Sequence, residues 1–89
     1  MRAIITVIGK DKVGIVAGVT AELANQNINI IDINQTIMEE FFTMVLMVDL
    51  RKANKSFDEI KKALVLEGKN LGVEVKVQRE EIFNSMHTV

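Results

Sequence analysis

The 89 residues contain no cysteine and no proline, and their only aromatic side chains are four phenylalanines. Without a thiol there are no disulfides and no thiolate metal sites, which agrees with a reducing compartment. Neither sign of charge prevails: 11 Lys and Arg stand against 12 Asp and Glu, for a net charge of −1. Clustered basic charge, which binding to nucleic acid or an anionic membrane requires, is therefore missing. No apolar run approaches the ~18–20 residues of a membrane-spanning helix. The stretch from Met1 to Gly9 is short and alternates like a strand, unlike a signal peptide, and a cytoplasmic location is expected. The single histidine, His87, reads as a surface residue, because one imidazole without neighbouring ligands makes neither a metal nor a catalytic site. Glu39-Glu40 and Glu80-Glu81 are adjacent pairs, and neighbours along a strand point to opposite faces, so neither forms an acid–base couple.

What is present suits one soluble globular domain. Apolar residues make up 48% of the chain and charged residues 26%. A domain of this size buries only roughly 60–65% of the surface of its unfolded chain, so its core is modest and a partner subunit would help it.

Periodicity divides the chain into six elements and a tail. Residues 2–8 are β-branched and apolar up to Gly9, a strand buried on both faces or nearly so. Over 12–26 the period becomes helical, with Val13, Val16, Ala17, Thr20, Leu23 and Ala24 on one stripe. Asp11 stands at the N-cap position, where its carboxylate can accept the amide N–H of Val13 or Gly14. Residues 28–37 alternate, with Ile31, Ile33, Gln35 and Ile37 on one side and Ile30, Asp32, Asn34 and Thr36 on the other. After a turn at 38–41, residues 42–50 alternate again and close a hairpin. Ser56 and Glu59 form a capping box before a second helix, which either Gly68 or Gly72 can end. Val73, Val75 and Val77 alternate with charged and polar residues in a last strand. Residues 81–89 are expected to form a tail, a short helix with Ile82, Phe83 and Met86 as its apolar side.

The order β-α-β-β-α-β predicts an α+β fold, a ferredoxin-like sandwich with a four-stranded antiparallel sheet and two helices on one face. The second and fourth strands lie at the edges. This shape hosts many functions, so function has to come from a site. Metal chaperones of this shape need a thiolate pair, and RNA binders need aromatic side chains on the central strands. A phosphate-gripping catalytic loop needs an arginine, and the first loop offers only Lys10 and Lys12. No Gly-rich phosphate loop or dinucleotide fingerprint occurs, and no paired nucleophile and base is visible. Neither an enzyme nor a cofactor is expected.

The remaining constellation is Gly9-Lys10-Asp11-Lys12-Val13-Gly14-Ile15-Val16, between the first strand and the first helix. Gly14 would weaken a helical first turn relative to Ala, and close approach of backbone or ligand is a reason to keep it. The amide N–H groups of that turn, at Val13, Gly14 and Ile15, suit a carboxylate. A plain tight turn with a helix cap accounts for the same residues.

This run, with Asn29-Ile30 opening the second strand, resembles the ACT domain over roughly residues 3–79. Within that family the chain is similar to stand-alone, single-domain members related to the glycine cleavage system regulatory protein. Its ending, Gln78 to His87, resembles the tail of that group. The resemblance implies a non-catalytic regulatory domain at residues 1–80 that binds an amino acid or similar small metabolite. It also implies homodimers joined through their second strands, with the ligand between the first loop of one subunit and the second strand of the other. On this sequence the implied ligand-binding residues are Asp11, Val13, Gly14, Ile15, Asn29 and Ile30. Gly9 and Val13 depart from the family pattern, which often has a side-chain contact and a proline there.

Pairing has independent support, since the second strand is a long edge without Pro or Lys to discourage it. The resulting expectation is a sensor whose ligand shifts a dimer or its affinity for a target regulator or enzyme. The alternative is an interaction module without a metabolite, in which the open sheet face and the Ile82/Phe83/Met86 tail dock a protein.

Overall fold

Alternation of apolar and polar side chains makes the four strands, and two 3.6-residue stripes make the helices that cover them. In the computed structural model, which describes residues 1–10 and 13–81, the elements are β1 (Arg2–Lys10), α1 (Ile15–Asn25), β2 (Asn29–Met38), β3 (Phe41–Asp49), α2 (Phe57–Leu71) and β4 (Glu74–Arg79). The sheet order is β2-β3-β1-β4 with every pair antiparallel. This is the expected ferredoxin-like arrangement, with β2 and β4 at the edges.

Directly opposed residues share a face, so the register defines both sides of the sheet. Ile5 lies opposite Leu46 and Val77, and Val7 opposite Met44 and Val75. These side chains form one core with Ile15, Val19 and Leu23 of α1 and with Ile60 and Leu64 of α2. Both helices therefore bury their apolar stripes on the same face.

The second helix starts as its sequence suggests. The Ser56 Oγ accepts the Glu59 amide N–H, and the Ser56 amide donates to Glu59 Oε1 at 3.2 Å. A cap of this kind contributes about 1 kcal/mol. Gly72 ends α2 in the left-handed region, with φ 75°. Gly68 has a different part: a Cβ there would stand 2.5 Å from Val75 Cγ2 and 3.0 Å from the Val73 carbonyl oxygen. Its missing side chain is what lets α2 lie against β4.

Two expectations need correction. The first helix begins at Ile15 and not at residue 12, and its N-cap is Gly14 rather than Asp11. The backbone at Gly14 has φ 97° and ψ −7°, a conformation glycine adopts readily and other residues resist, so the cap falls on the glycine. Gly14 thus sits at the helix boundary, outside the first turn. Asp11 itself lies outside the described residues. The alternation in β2 also fails at one place, where a register shift falls between Ile30 and Asp32. Such a bulge adds one residue to a strand and reverses the faces that follow. Ile30 therefore stands opposite Val48 on the helix side, as Ile33 stands opposite Leu46. Of the expected tail, the residues from 82 onward lie outside the described residues.

Candidate functional site

The strand-to-helix loop is built by an abrupt change of backbone direction. β1 runs on to Lys10, and Gly14 then sets the chain into α1. The first helical hydrogen bond joins the Gly18 amide to the Gly14 carbonyl oxygen at 2.8 Å. Among the described residues no side-chain hydrogen bond caps the helix, and its first turn holds no acidic residue. The amide N–H groups that every α-helix leaves unpaired at its start thus meet no cap side chain among the described residues. They carry the positive end of the helix dipole.

The structure separates the implied ligand-binding residues into two groups. Val13, Gly14 and Ile15 are consecutive at the Lys10 end of β1. The Val13 side chain is wholly exposed and Gly14 is exposed, whereas Ile15 is 2% exposed and packs into the core, leaving only its backbone for a ligand. Asn29 and Ile30 lie at the far end of the sheet, where Asn29 pairs with Asp49 and Asp49 with Arg2. Eight residue steps along β1 separate these ends, roughly 26 Å at strand rise. Asn29 is exposed, and Ile30 is half-buried against the core. One chain therefore does not bring Gly14 and Asn29 together.

Asn29 instead lines a cleft of about 480 Å3 in its own chain, with Asn27, Asp49, Arg51 and Lys52. Sequence reading did not find this cleft, because its residues come from the end of α1 and from the turn after β3. Asn27 has φ 57° and its side-chain amide donates to the Lys52 carbonyl at 2.8 Å, tying the two segments together. Arg51 donates from Nε to Asp49 Oδ2 at 2.8 Å and from its backbone amide to Asp49 Oδ1 at 2.9 Å. The cleft thus carries charges of both signs, with Arg51 paired to Asp49 and Lys52 beside them. The Arg51 side chain, followed by its backbone amide, holds the Asp49 carboxyl below the usual carboxylate range. Among the described residues no three His, Asp or Glu gather as a metal site. No helix there is long and apolar enough to cross a membrane.

Two expected outcomes follow from this geometry. Gly14→Ala is expected to destabilise the fold by about 1–2 kcal/mol, the cost of a left-handed conformation for a residue with a Cβ. Crowding adds nothing, since nothing lies within 4 Å of the position that Cβ would take. Urea denaturation measures this, and an unchanged midpoint would contradict the left-handed cap. The second outcome concerns acid. The carboxyls of Asp49, Glu59 and Glu80 all have folded pKa values below their ordinary ones, lowered chiefly by the Arg51 side chain, the Ser56 amide and the Arg2 side chain respectively. A depressed carboxyl stabilises the fold above its unfolded pKa, about 4, and that contribution disappears as pH falls through the folded value. Stability measured against pH is therefore expected to drop below about pH 4, and Glu80→Gln to flatten part of that drop.

With the fold, the glycine cap and the open edge strand in place, comparison defines the class. The ACT domain profile matches residues 2–78. The chain belongs to the ACT domain family, whose members are in general regulatory, ligand-binding domains. It is 60% identical over 89 residues to a UPF0237 protein of Clostridium acetobutylicum, covering 100% of both chains. A solved ACT domain protein from Streptococcus pneumoniae superposes with a TM-score of 0.83 at 42% identity, with 93% of each chain covered. The regulatory subunit of aspartate kinase from Thermus thermophilus superposes with a TM-score of 0.68 at 26% identity, over 89% of this chain and 51% of that one.

Proposed function

We propose that this protein is a non-catalytic sensor that binds an amino acid or similar small metabolite between two copies of itself. The observation that carries this reading is the state of β2. Every residue from Asn29 to Met38 is exposed except the half-buried Ile30. Its apolar members Ile31, Ile33, Ile37 and Met38 are 44%, 42%, 58% and 71% exposed. A bare, ten-residue apolar edge is a template for another strand unless something pairs with it.

Two-fold pairing of β2 with its copy runs the strands antiparallel. The register places Met38 beside Phe41 and Phe41 beside Lys10, so Met38 lies at the loop's end of the sheet. An antiparallel copy brings its own Asn29 towards that same end. The first-turn amides of α1 would then receive a carboxylate, and Asn29 of the partner subunit would bind the ligand's other polar groups. The roughly 26 Å between Gly14 and Asn29 in one chain becomes a reason for the dimer rather than an objection to the site. The ligand would act by changing the dimer population or its affinity for a target enzyme or regulator.

A thermal-shift screen of the twenty amino acids tests this. A true ligand at a hundredfold excess over its dissociation constant adds about 2.7 kcal/mol. In a domain of this size that raises the melting point by roughly 10 °C or more, and Asn29→Ala is expected to remove the rise. Amino-acid sensing is refuted if none of the twenty moves the melting point.

A further inference from the structure

The cleft beside Asn29 holds an arginine that its own chain fixes in place. Asp49 faces Asn29 across the β2–β3 ladder, and Arg51 follows two residues later in the turn after β3. The Asp49 side chain is only 15% exposed, and its Oδ1 accepts the Arg51 amide N–H at 2.9 Å. Its Oδ2 accepts from Arg51 Nε at 2.8 Å and lies 2.7 Å from Nη2. A guanidinium carries five N–H donors in one rigid plane. Asp49 occupies the edge formed by Nε and Nη2, which leaves the edge formed by Nη1 and Nη2. The Arg51 side chain is 78% exposed, so that second edge faces open space. Two parallel N–H groups of this kind match the two oxygens of a carboxylate.

Charge at this end of the sheet favours an anion. Arg2 lines an adjoining hollow with Asn29, Asp49 and Arg51. It donates from Nε and Nη2 to the two oxygens of Glu80, at 2.6 and 2.7 Å. The Arg2–Glu80 and Arg51–Asp49 pairs each cancel. Lys52 has no ion-pair partner among the described residues, so its charge is left over. In a chain of net charge −1 this positive excess is local. The Asn29 side chain makes no hydrogen bond among the described residues, and its carboxamide can both donate and accept. A cleft of about 480 Å3 has the size of a small-molecule pocket.

We propose that the ligand is an acidic amino acid and that Arg51 and Lys52 read its side-chain carboxylate. This assignment rests on the reading of a site shared across β2. In that site the first-turn amides of α1 receive one carboxylate, and Asn29 of the partner subunit brings its own cleft to the same ligand. The second carboxylate then meets the open edge of the partner subunit's Arg51. The partner subunit's Lys52 offsets the negative charge that Asp49 contributes beside it. A side-chain amide offers that edge one oxygen and no charge, and its own N–H groups would face the guanidinium donors. Loss of a charged, two-point contact weakens binding by about tenfold to a hundredfold. The cleft thus distinguishes an acid from its amide.

Isothermal titration calorimetry of the full chain with L-aspartate, L-glutamate, L-asparagine and L-glutamine tests this. At least one of the two acids is expected to bind about tenfold or more tightly than its own amide. Arg51→Gln is expected to weaken that acid by about tenfold to a hundredfold and to leave the amide unchanged. Lys52→Gln keeps the Asp49–Arg51 pair intact, and it is expected to reduce the same preference, most at low ionic strength. Thermal melting verifies that both variants fold. A neutral amino acid that binds through Asn29 and ignores Arg51→Gln would overturn the acidic ligand while the shared site stands. An acid whose affinity survives both substitutions would overturn the part given to Arg51 and Lys52. Binding of none of the twenty amino acids would remove the shared site and this assignment together.

Discussion

Replacing Leu46 with alanine is expected to lower the free energy of unfolding by about 3 kcal/mol. Leu46 is 0% exposed and stands at the centre of β3, opposite Ile5 on one side and Ile33 on the other. Its side chain fills the middle of the single core on which both helices rest. Truncation removes the transfer energy of the lost methyl groups and leaves a cavity that fixed strands on either side cannot close. Domains of this kind are stable by only about 5–15 kcal/mol, so the loss is a large share of the whole. Urea unfolding measures it as a midpoint lowered by roughly 1–3 M, for a slope near 1–3 kcal/mol per molar. A loss below about 1 kcal/mol would mean that the sheet and helices are not joined through this core.

The second large effect concerns association. Ile33→Lys is expected to weaken the proposed dimer by about 100-fold while leaving the single chain folded. Ile33 is 42% exposed in one chain, so its replacement asks little of the core. It lies near the middle of β2, and the middle of a strand paired with itself across a two-fold axis meets its own copy. Each isoleucine withdrawn from the interface forfeits up to about 1.5 kcal/mol, and two of them account for about two factors of ten in affinity. Two lysine ammonium groups brought together at the axis add repulsion, and lysine on an edge strand discourages pairing in its own right. Equilibrium sedimentation of the variant and the parent chain, with far-ultraviolet circular dichroism to verify folding, gives the comparison.

Much of this architecture was legible from side-chain periodicity, for physical reasons that particular residues illustrate. Val73, Val75 and Val77 alternate because a half-buried strand requires it, and Ser56 with Glu59 announces a helix start because both groups find backbone partners locally. The failures have equally local causes. Asp11 is a good capping residue, and nothing in periodicity tells that Gly14 takes a left-handed conformation and starts the helix three residues later. The bulge after Ile30 inserts one residue into a two-residue repeat, so it misplaces Ile30 and Ile31 while Ile33, Gln35 and Ile37 stay correctly together.

The candidate site was legible only in pieces. Val13, Gly14 and Ile15 are neighbours in the chain, and their shared loop could be read directly. Asn27, Asp49 and Arg51 meet in one cleft only because α1 returns the chain to the end of β3, a consequence of topology with no short-range signature. The Arg2–Glu80 pair joins residues 78 apart in the sequence, and the alternation of β1 does not reveal it. Asn29 is the instructive case. Its position at the opening of β2 was readable, but its distance from Gly14 appeared only with the register, and that distance turns a one-chain site into a two-chain proposal.

Sedimentation velocity of the unmodified protein, from low to high micromolar concentration, reaches the heart of the matter. A species of twice the chain mass that gains population as concentration rises is what a site shared between two β2 edges demands. One boundary at the mass of a single chain throughout the series would leave the Gly14 amides and Asn29 permanently at opposite ends of the sheet, and the shared site could not exist.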